Sequence, residues 1–216
     1  MNKKTILLTT AFPLMIIGCG GNSTEHNLGH IPVKWNNTTI EYYMDESILE
    51  HTMIVNNVYD TLDTIEVRVP ALTFIEVDAP GVDVVTFKYV KGVNSSYIGK
   101  VSNSEVTISS GRRSIAQHEI HHMLGIVHVH QQPNRDDHIN IDMDTVPDHI
   151  LNDFKVHGDS MYLYDVYSYD YDVKSIMHYS SGTHGVTVKT ISGKTIKYND
   201  SATDMDYMKL NELYPF

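Results

Sequence analysis

The residues with chemical potential sit together in His118-Glu119-Ile120-His121-His122-Met123-Leu124-Gly125-Ile126-Val127-His128, the pattern H-E-x-x-H-x-x-G-x-x-H. On a helix, His118 and His122 project from one face a turn apart, so two imidazoles can share one metal ion. Glu119 falls about 100° round the helix from His118. From there its carboxylate can reach a water on the ion without being a ligand. Gly125 predicts the end of the helix, because glycine accepts the left-handed conformation that turns the chain. That turn can return His128 as a third ligand. Three imidazole nitrogens with an open fourth position are the donor set of a catalytic zinc ion, with Glu119 as general base.

Such a site needs a helix with one face in the core and the other in a cleft. The spacing predicts that helix over Arg112–Leu124, with Ala116, Ile120, Met123 and Leu124 on the core side and His118 and His122 opposite. His121 falls between the faces and reads as structural or solvent-facing. Upstream, Trp35–Met44 predicts a turn and a strand. Asp45 to about Thr64 predicts an amphipathic helix capped by Asp45 or Ser47, with Ile48, Leu49, Met53, Val55, Val58 and Leu62 inward. Leu72–Val77 and Val82–Val90 predict strands, Tyr97–Lys100 a short one, and Val101–Ser110 an edge strand. Such an edge could pair with an extended substrate.

Downstream the chain is polar and weakly periodic. Asp148–Val156 predicts a helix, Val186–Tyr198 a hairpin turning at Ser192-Gly193, and Ser201–Leu213 a last helix with Met205, Met208, Leu210 and Leu213 inward. The tyrosine-rich run Tyr162–Tyr171 reads equally as low complexity or as an aromatic cleft wall. His130, His138 and His178 read as loop or structural residues, His130 as a surface one. Tyr171, His184 and Lys189 are candidates for lining a specificity pocket.

The chain has 216 residues, 27 acidic against 16 basic, a net charge of -11 and 41% apolar residues. This suits one domain, or two lobes about a cleft, and argues against a general nucleic-acid binder. At the N-terminus, Lys3 and Lys4 precede the apolar Ile6–Ile17, a run short for a membrane span. Ile16-Ile17-Gly18-Cys19 resembles the bacterial lipobox, which makes residues 1–19 a lipoprotein signal peptide and Cys19 the lipidated first mature residue. Cys19 is the sole cysteine, so no disulfide can form within the chain. Residues 20–30 read as a flexible tether and 31–216 as the folded domain. The expectation is a monomer, lipid-anchored in a bacterial cell envelope or secreted.

The histidine pattern followed by Ser175-Ile176-Met177-His178-Tyr179 is the metzincin signature. Within that clan the chain resembles the astacin family. The resemblance is carried by Ser-Ile-Met-His-Tyr, by Pro133, Arg135 and Asp136, and by Asp137-His138-Ile139-Asn140-Ile141, and it runs from about Trp35 to Pro215. It implies an α+β, two-lobed zinc endopeptidase acting on protein or peptide substrates. The upper lobe, about 31–128, would hold a mixed sheet and the metal helix. The lower lobe, about 129–216, would be mostly irregular. It implies His118, His122 and His128 as zinc ligands and Glu119 as general base. Met177 would form a floor under the metal. Tyr179 would be an additional ligand that swings away to stabilise the transition state. Arg135 and Asp136 are expected to brace the lower lobe.

The sequence departs from the family at Val129, where members carry Glu linked to a buried mature N-terminus, and no Phe-x-Gly-Asp segment precedes Trp35. The two departures together imply an enzyme without zymogen activation. A zinc-binding surface or adhesion module without catalysis is the competing reading, and the intact Glu119 argues against it.

Overall fold

The computed structural model describes residues 34–156 and 170–216. The signal peptide, Cys19, the tether and residues 162–169 of the tyrosine-rich run lie outside them. Five short strands form a sheet in the order β2-β1-β3-β5-β4. They are β1 (Thr39–Met44), β2 (Thr73–Glu76), β3 (Val85–Lys88), β4 (Ser95–Ser96) and β5 (Glu105–Thr107). All neighbours are parallel except β4 with β5. In β1 the side chains of Ile40, Tyr42 and Met44 are buried while alternate residues turn outward, the period of a half-covered strand.

Two expectations about this sheet are corrected. Glu105–Thr107 is an inner strand between β3 and β4, so Val101–Ser110 is not the edge. The short strand expected at Tyr97–Lys100 lies instead at Ser95–Ser96, and this β4 is the edge on that side, with β2 the opposite edge.

The helix expected from Asp45 is two helices, α1 (Glu46–Leu49) and α2 (Thr52–Arg68), the second running past Thr64. Asp45 is the cap, its carboxylate accepting from Ser47 N at 2.9 Å. The break has a geometric cause. In one continuous helix Ile48 would lie about 85° from the middle of the stripe formed by Ile54, Val58, Leu62 and Ile65. Breaking at Glu50-His51 lets Ile48 reach the core while Ile54, Val58, Leu62 and Ile65 stay in phase. Met53, off that stripe, is 67% exposed, and Leu49 is also outward.

The metal helix is α3 (Arg113–Met123). It ends in a Schellman arrangement: Gly125 takes φ 104°, its N–H donates to His122 O at 2.8 Å, and Ile126 N donates to His121 O at 2.9 Å. Remaining carbonyls at this end are satisfied from the two ends of the described chain. The Trp35 indole donates to Met123 O at 2.9 Å, and Tyr214 Oη donates to Leu124 O at 2.8 Å.

Among the described residues, the second half is mostly irregular. Asp148–Phe154 is a 3₁₀ helix rather than an α-helix. A two-stranded antiparallel sheet joins β6 (Ile139–Ile141) to β7 (Val188–Thr190). The hairpin turn falls at Gly193, φ 84°, but its return arm pairs through a single bridge, Lys189 to Thr195. The last helix is α4 (Asp204–Leu213), opened by a Thr203/Asp206 capping box. Its inward face is Asp206, Tyr207, Lys209, Leu210 and Leu213. Met208, expected inward, is 48% exposed.

Two cores result. The first gathers the five-stranded sheet, α2 and α3, and it also takes Met177 and the α4 residues Tyr207, Leu210 and Leu213. The second holds Ile139, Val146, Ile150, Phe154, Tyr179, Val186, Val188 and Ile196. Met177 and Tyr179, two residues apart, therefore belong to different cores, and the α+β architecture is two-lobed about the segment that joins them.

Candidate metal centre

His118, His122 and His128 meet where the two cores adjoin. Each offers one ligand atom, and the three atoms lie within 4.8 Å of one another. Nε2 of His128 is 3.2 Å from Nε2 of His118 and 3.0 Å from that of His122. The other ring nitrogen of each histidine faces an acceptor. His118 Nδ1 donates to Ile176 O at 2.8 Å, His122 Nδ1 to Ile126 O at 2.7 Å, and His128 Nδ1 to Gln131 Oε1 at 3.3 Å. With the proton on Nδ1 in each ring, the Nε2 atoms carry lone pairs.

Three lone pairs therefore converge with no proton between them, an arrangement that a cation resolves. Zinc held tetrahedrally at about 2.0–2.1 Å from each nitrogen would separate the nitrogens by about 3.3 Å. The donor set fits zinc on geometry and chemistry alike. Burial holds the His118 imidazole down at about 4, and burial together with the neighbouring His122, His130 and His118 rings puts His128 well below the ordinary histidine value. Both rings are thus held neutral at neutral pH, the state in which a nitrogen lone pair is available to a cation.

Local sequence explains the convergence. His118 and His122 are a turn apart on α3. The Schellman turn at Gly125 reverses the chain so that Ile126 O returns to His122 and His128 reaches the same point. Glu119, next to His118 on α3, is fully buried. His121 is fully buried too and donates through Nδ1 to Gln117 O at 2.7 Å, so its place is structural rather than at solvent.

The Ser175–Tyr179 turn adjoins the site through Ile176 O, the acceptor of His118 Nδ1. Val129 N donates to Met177 O at 3.0 Å, tying the residue after the third histidine to the turn. The turn is gripped by the buried Asp206 of α4. That carboxylate accepts from Ser175 Oγ, from Ile176 N at 3.0 Å and from Thr203 N at 2.8 Å. Ser175 Oγ in turn accepts from Met177 N at 3.0 Å. Asp206 thus positions a metal-site element from far along the chain. Its sequence signal, the capping box Thr203-x-x-Asp206, points only to a helix start.

Tyr179 is 4% exposed, and its ring centroid lies 4.4 Å from that of His128. It stacks on His130 at 4.1 Å and meets Phe154 edge-on at 5.6 Å. His130 is fully buried, not a surface residue, and its Nε2 donates to Asp153 O at 2.8 Å. His178 is likewise internal: Nδ1 donates to Tyr179 O and Nε2 accepts from Tyr171 Oη, each at 2.7 Å. Tyr171 also stacks on His138 at 4.6 Å. Arg135 is buried, donating to His130 O at 3.0 Å and to Phe154 O, and so braces this half of the chain. Asp136 is exposed beside it.

Of the specificity candidates, His184 lies against Tyr179 with ring centroids 5.7 Å apart. Tyr171 sits against both cores, and Lys189 is exposed on β7.

The comparisons with known proteins agree with this geometry. The chain is 33% identical over 138 residues to zinc metalloproteinase nas-6 of Caenorhabditis elegans, covering 58% of this chain and 39% of that protein. It is 26% identical over 199 residues to flavastacin of Elizabethkingia meningoseptica, covering 83% of this chain and 42% of that protein. It therefore spans less than half the length of these relatives. Among solved structures its fold is similar to high choriolytic enzyme 1, a hatching enzyme zinc-protease from Oryzias latipes (medaka fish), with a TM-score of 0.68 and 19% identity, covering 85% of this chain and 93% of that one. The family model for the Astacin peptidases matches residues 28–215. With nearly the whole chain matched and the histidine triad in place, this protein belongs to the astacin family of peptidases.

Proposed function

We propose that the chain is a zinc-dependent endopeptidase that hydrolyses peptide bonds in extended protein segments. His118, His122 and His128 are its metal ligands, Glu119 its general base and Tyr179 its phenol donor. The observation that carries this reading is the convergence of three Nε2 lone pairs beside a buried carboxylate. A zinc ion held by His118, His122 and His128 would supply a water of lowered pKa, about 7, near neutrality. Glu119 takes the proton of the attacking water and carries it to the leaving amine nitrogen. Tyr179 Oη donates to the scissile carbonyl oxygen as negative charge develops there. Met177, buried and apolar, floors the site without competing as a ligand. One edge of the sheet is β4 at Ser95–Ser96, and an extended substrate backbone can add to such an edge.

Hydrolysis of casein, with and without a chelator and against a Glu119→Ala variant, tests the reading. Chelator-sensitive cleavage lost in the variant is expected. Folded, zinc-loaded protein that cleaves nothing would leave a zinc-binding module instead.

The N-terminal reading is part of the proposal. Lys3, Lys4, the apolar Ile6–Ile17 and Ile16-Ile17-Gly18-Cys19 support a lipid anchor on Cys19 that holds the enzyme at a bacterial cell envelope. At the position of the family's glutamate, Val129 is 1% exposed and packs in the first core, which supports activity without the family's N-terminal link. N-terminal analysis of the active protein should find a start at Cys19. A start well beyond it would sink both ideas.

A further inference from the structure

The three histidines are oriented by different kinds of group. His118 and His122 give their Nδ1 protons to backbone carbonyls, Ile176 O and Ile126 O, which no side-chain substitution removes. His128 gives its proton to a side chain, Gln131 Oε1, at 3.3 Å. Gln131 is 5% exposed and closes the 3₁₀ turn Val129–Gln131 that His128 caps, its N–H donating to His128 O at 3.1 Å. The turn brings Gln131 back toward His128, so the amide reaches the edge of the imidazole at Nδ1.

The amide is itself fixed in one orientation. Its Nε2 donates to Asn152 O at 3.2 Å, in the 3₁₀ helix of the second core, so Oε1 must face His128. An acceptor locked in that direction requires a donor at His128 Nδ1, which leaves the Nε2 lone pair turned toward the other two histidines.

We infer that Gln131 is a positioning residue for the metal centre: it fixes the tautomer and ring orientation of the third ligand and raises that ligand's affinity for zinc. The inference rests on the three histidines binding zinc. Outer partners of this kind change metal affinity about 10–100-fold when removed.

The test is the zinc dissociation constant of the full chain at pH 7, by competition with a chromophoric chelator, for wild type, Gln131→Leu and Gln131→Glu. Gln131→Leu should bind zinc about 10–100-fold more weakly. Gln131→Glu should match or exceed wild type, because its carboxylate accepts the same Nδ1 proton although it cannot donate to Asn152 O. A residue that served only to hold Asn152 would give the opposite result, with Glu failing as Leu does. That outcome overturns the inference, as does Gln131→Leu binding zinc like wild type. Should Gln131→Leu fail to fold, Gln131→Glu still decides between the two roles. A wild type that binds no zinc would overturn the underlying metal-site reading, a result distinct from any difference among the variants.

Discussion

The Ile176 carbonyl accepts the Nδ1 proton of His118 at 2.8 Å, joining two residues 58 positions apart. The His118 ring is thus aimed by the backbone of the Ser175–Tyr179 turn, and that turn is held by Asp206 from the last helix. The site is built from three distant stretches that depend on one another.

Replacing Asp206 with Asn should break this chain of support. The carboxylate takes donors from Ser175, Ile176 and Thr203, and an amide nitrogen in its place would oppose one of them. The expected cost is about 2–4 kcal/mol of stability, from a buried hydrogen-bonded charge lost among donors that then lack partners. Denaturant unfolding measures it. Zinc affinity should fall as well, because Ile176 O no longer aims His118. Unchanged stability and affinity would show the grip to be incidental.

Tyr179→Phe should keep the fold and the zinc, since stacking on His130 and the edge contact with Phe154 do not need the hydroxyl. Loss of one donor to a developing oxyanion lowers kcat about 10²–10³-fold with little change in KM. Steady-state kinetics on a fluorogenic peptide checks this. A variant with wild-type kcat would remove the phenol from the mechanism.

Stability of the zinc-free protein should depend on acid in a defined window. Burial holds His118 and His178 at about 4 in the folded state, against 6.5 for exposed histidine. Above pH 6.5 neither state binds these protons, and stability is at its full value. As pH falls from 6.5 to 4, the unfolded chain takes up protons that the folded chain refuses, so stability declines throughout that interval. His178 has a structural reason to resist charging: its Nε2 must stay an acceptor for Tyr171. Chemical denaturation of chelated protein across this range should show the decline, and a flat profile would contradict it.

What could be read from the sequence was local. The i, i+4 histidines, the helix-ending Gly125 and the return of His128 depend on contacts within a few residues, and the structure places them as the spacing implies. The strand and helix types of the first half follow for the same reason. Met208 and Met53 are misplaced by helical phase, and the other misplacements concern facts set by distant partners. Whether β5 or β4 is the edge is decided by a parallel pairing with β3, across a crossover that periodicity does not encode. Ile48 forces a break that a helical stripe read through Asp45–Thr64 averages away. His130 looks like a polar loop residue until Tyr179 and Asp153 enclose it, and Gln131 and Asp206 carry no motif that names their partners.

Zinc reconstitution tests the central claim most directly. Metal-free protein titrated with zinc should regain casein cleavage in proportion to added metal and saturate at one ion per chain. Glu119→Gln should bind the same single ion while losing about 10²–10⁴-fold in cleavage rate, as removal of a general base requires. Cleavage that survives complete removal of zinc, or a Glu119→Gln protein as active as wild type, would contradict the account.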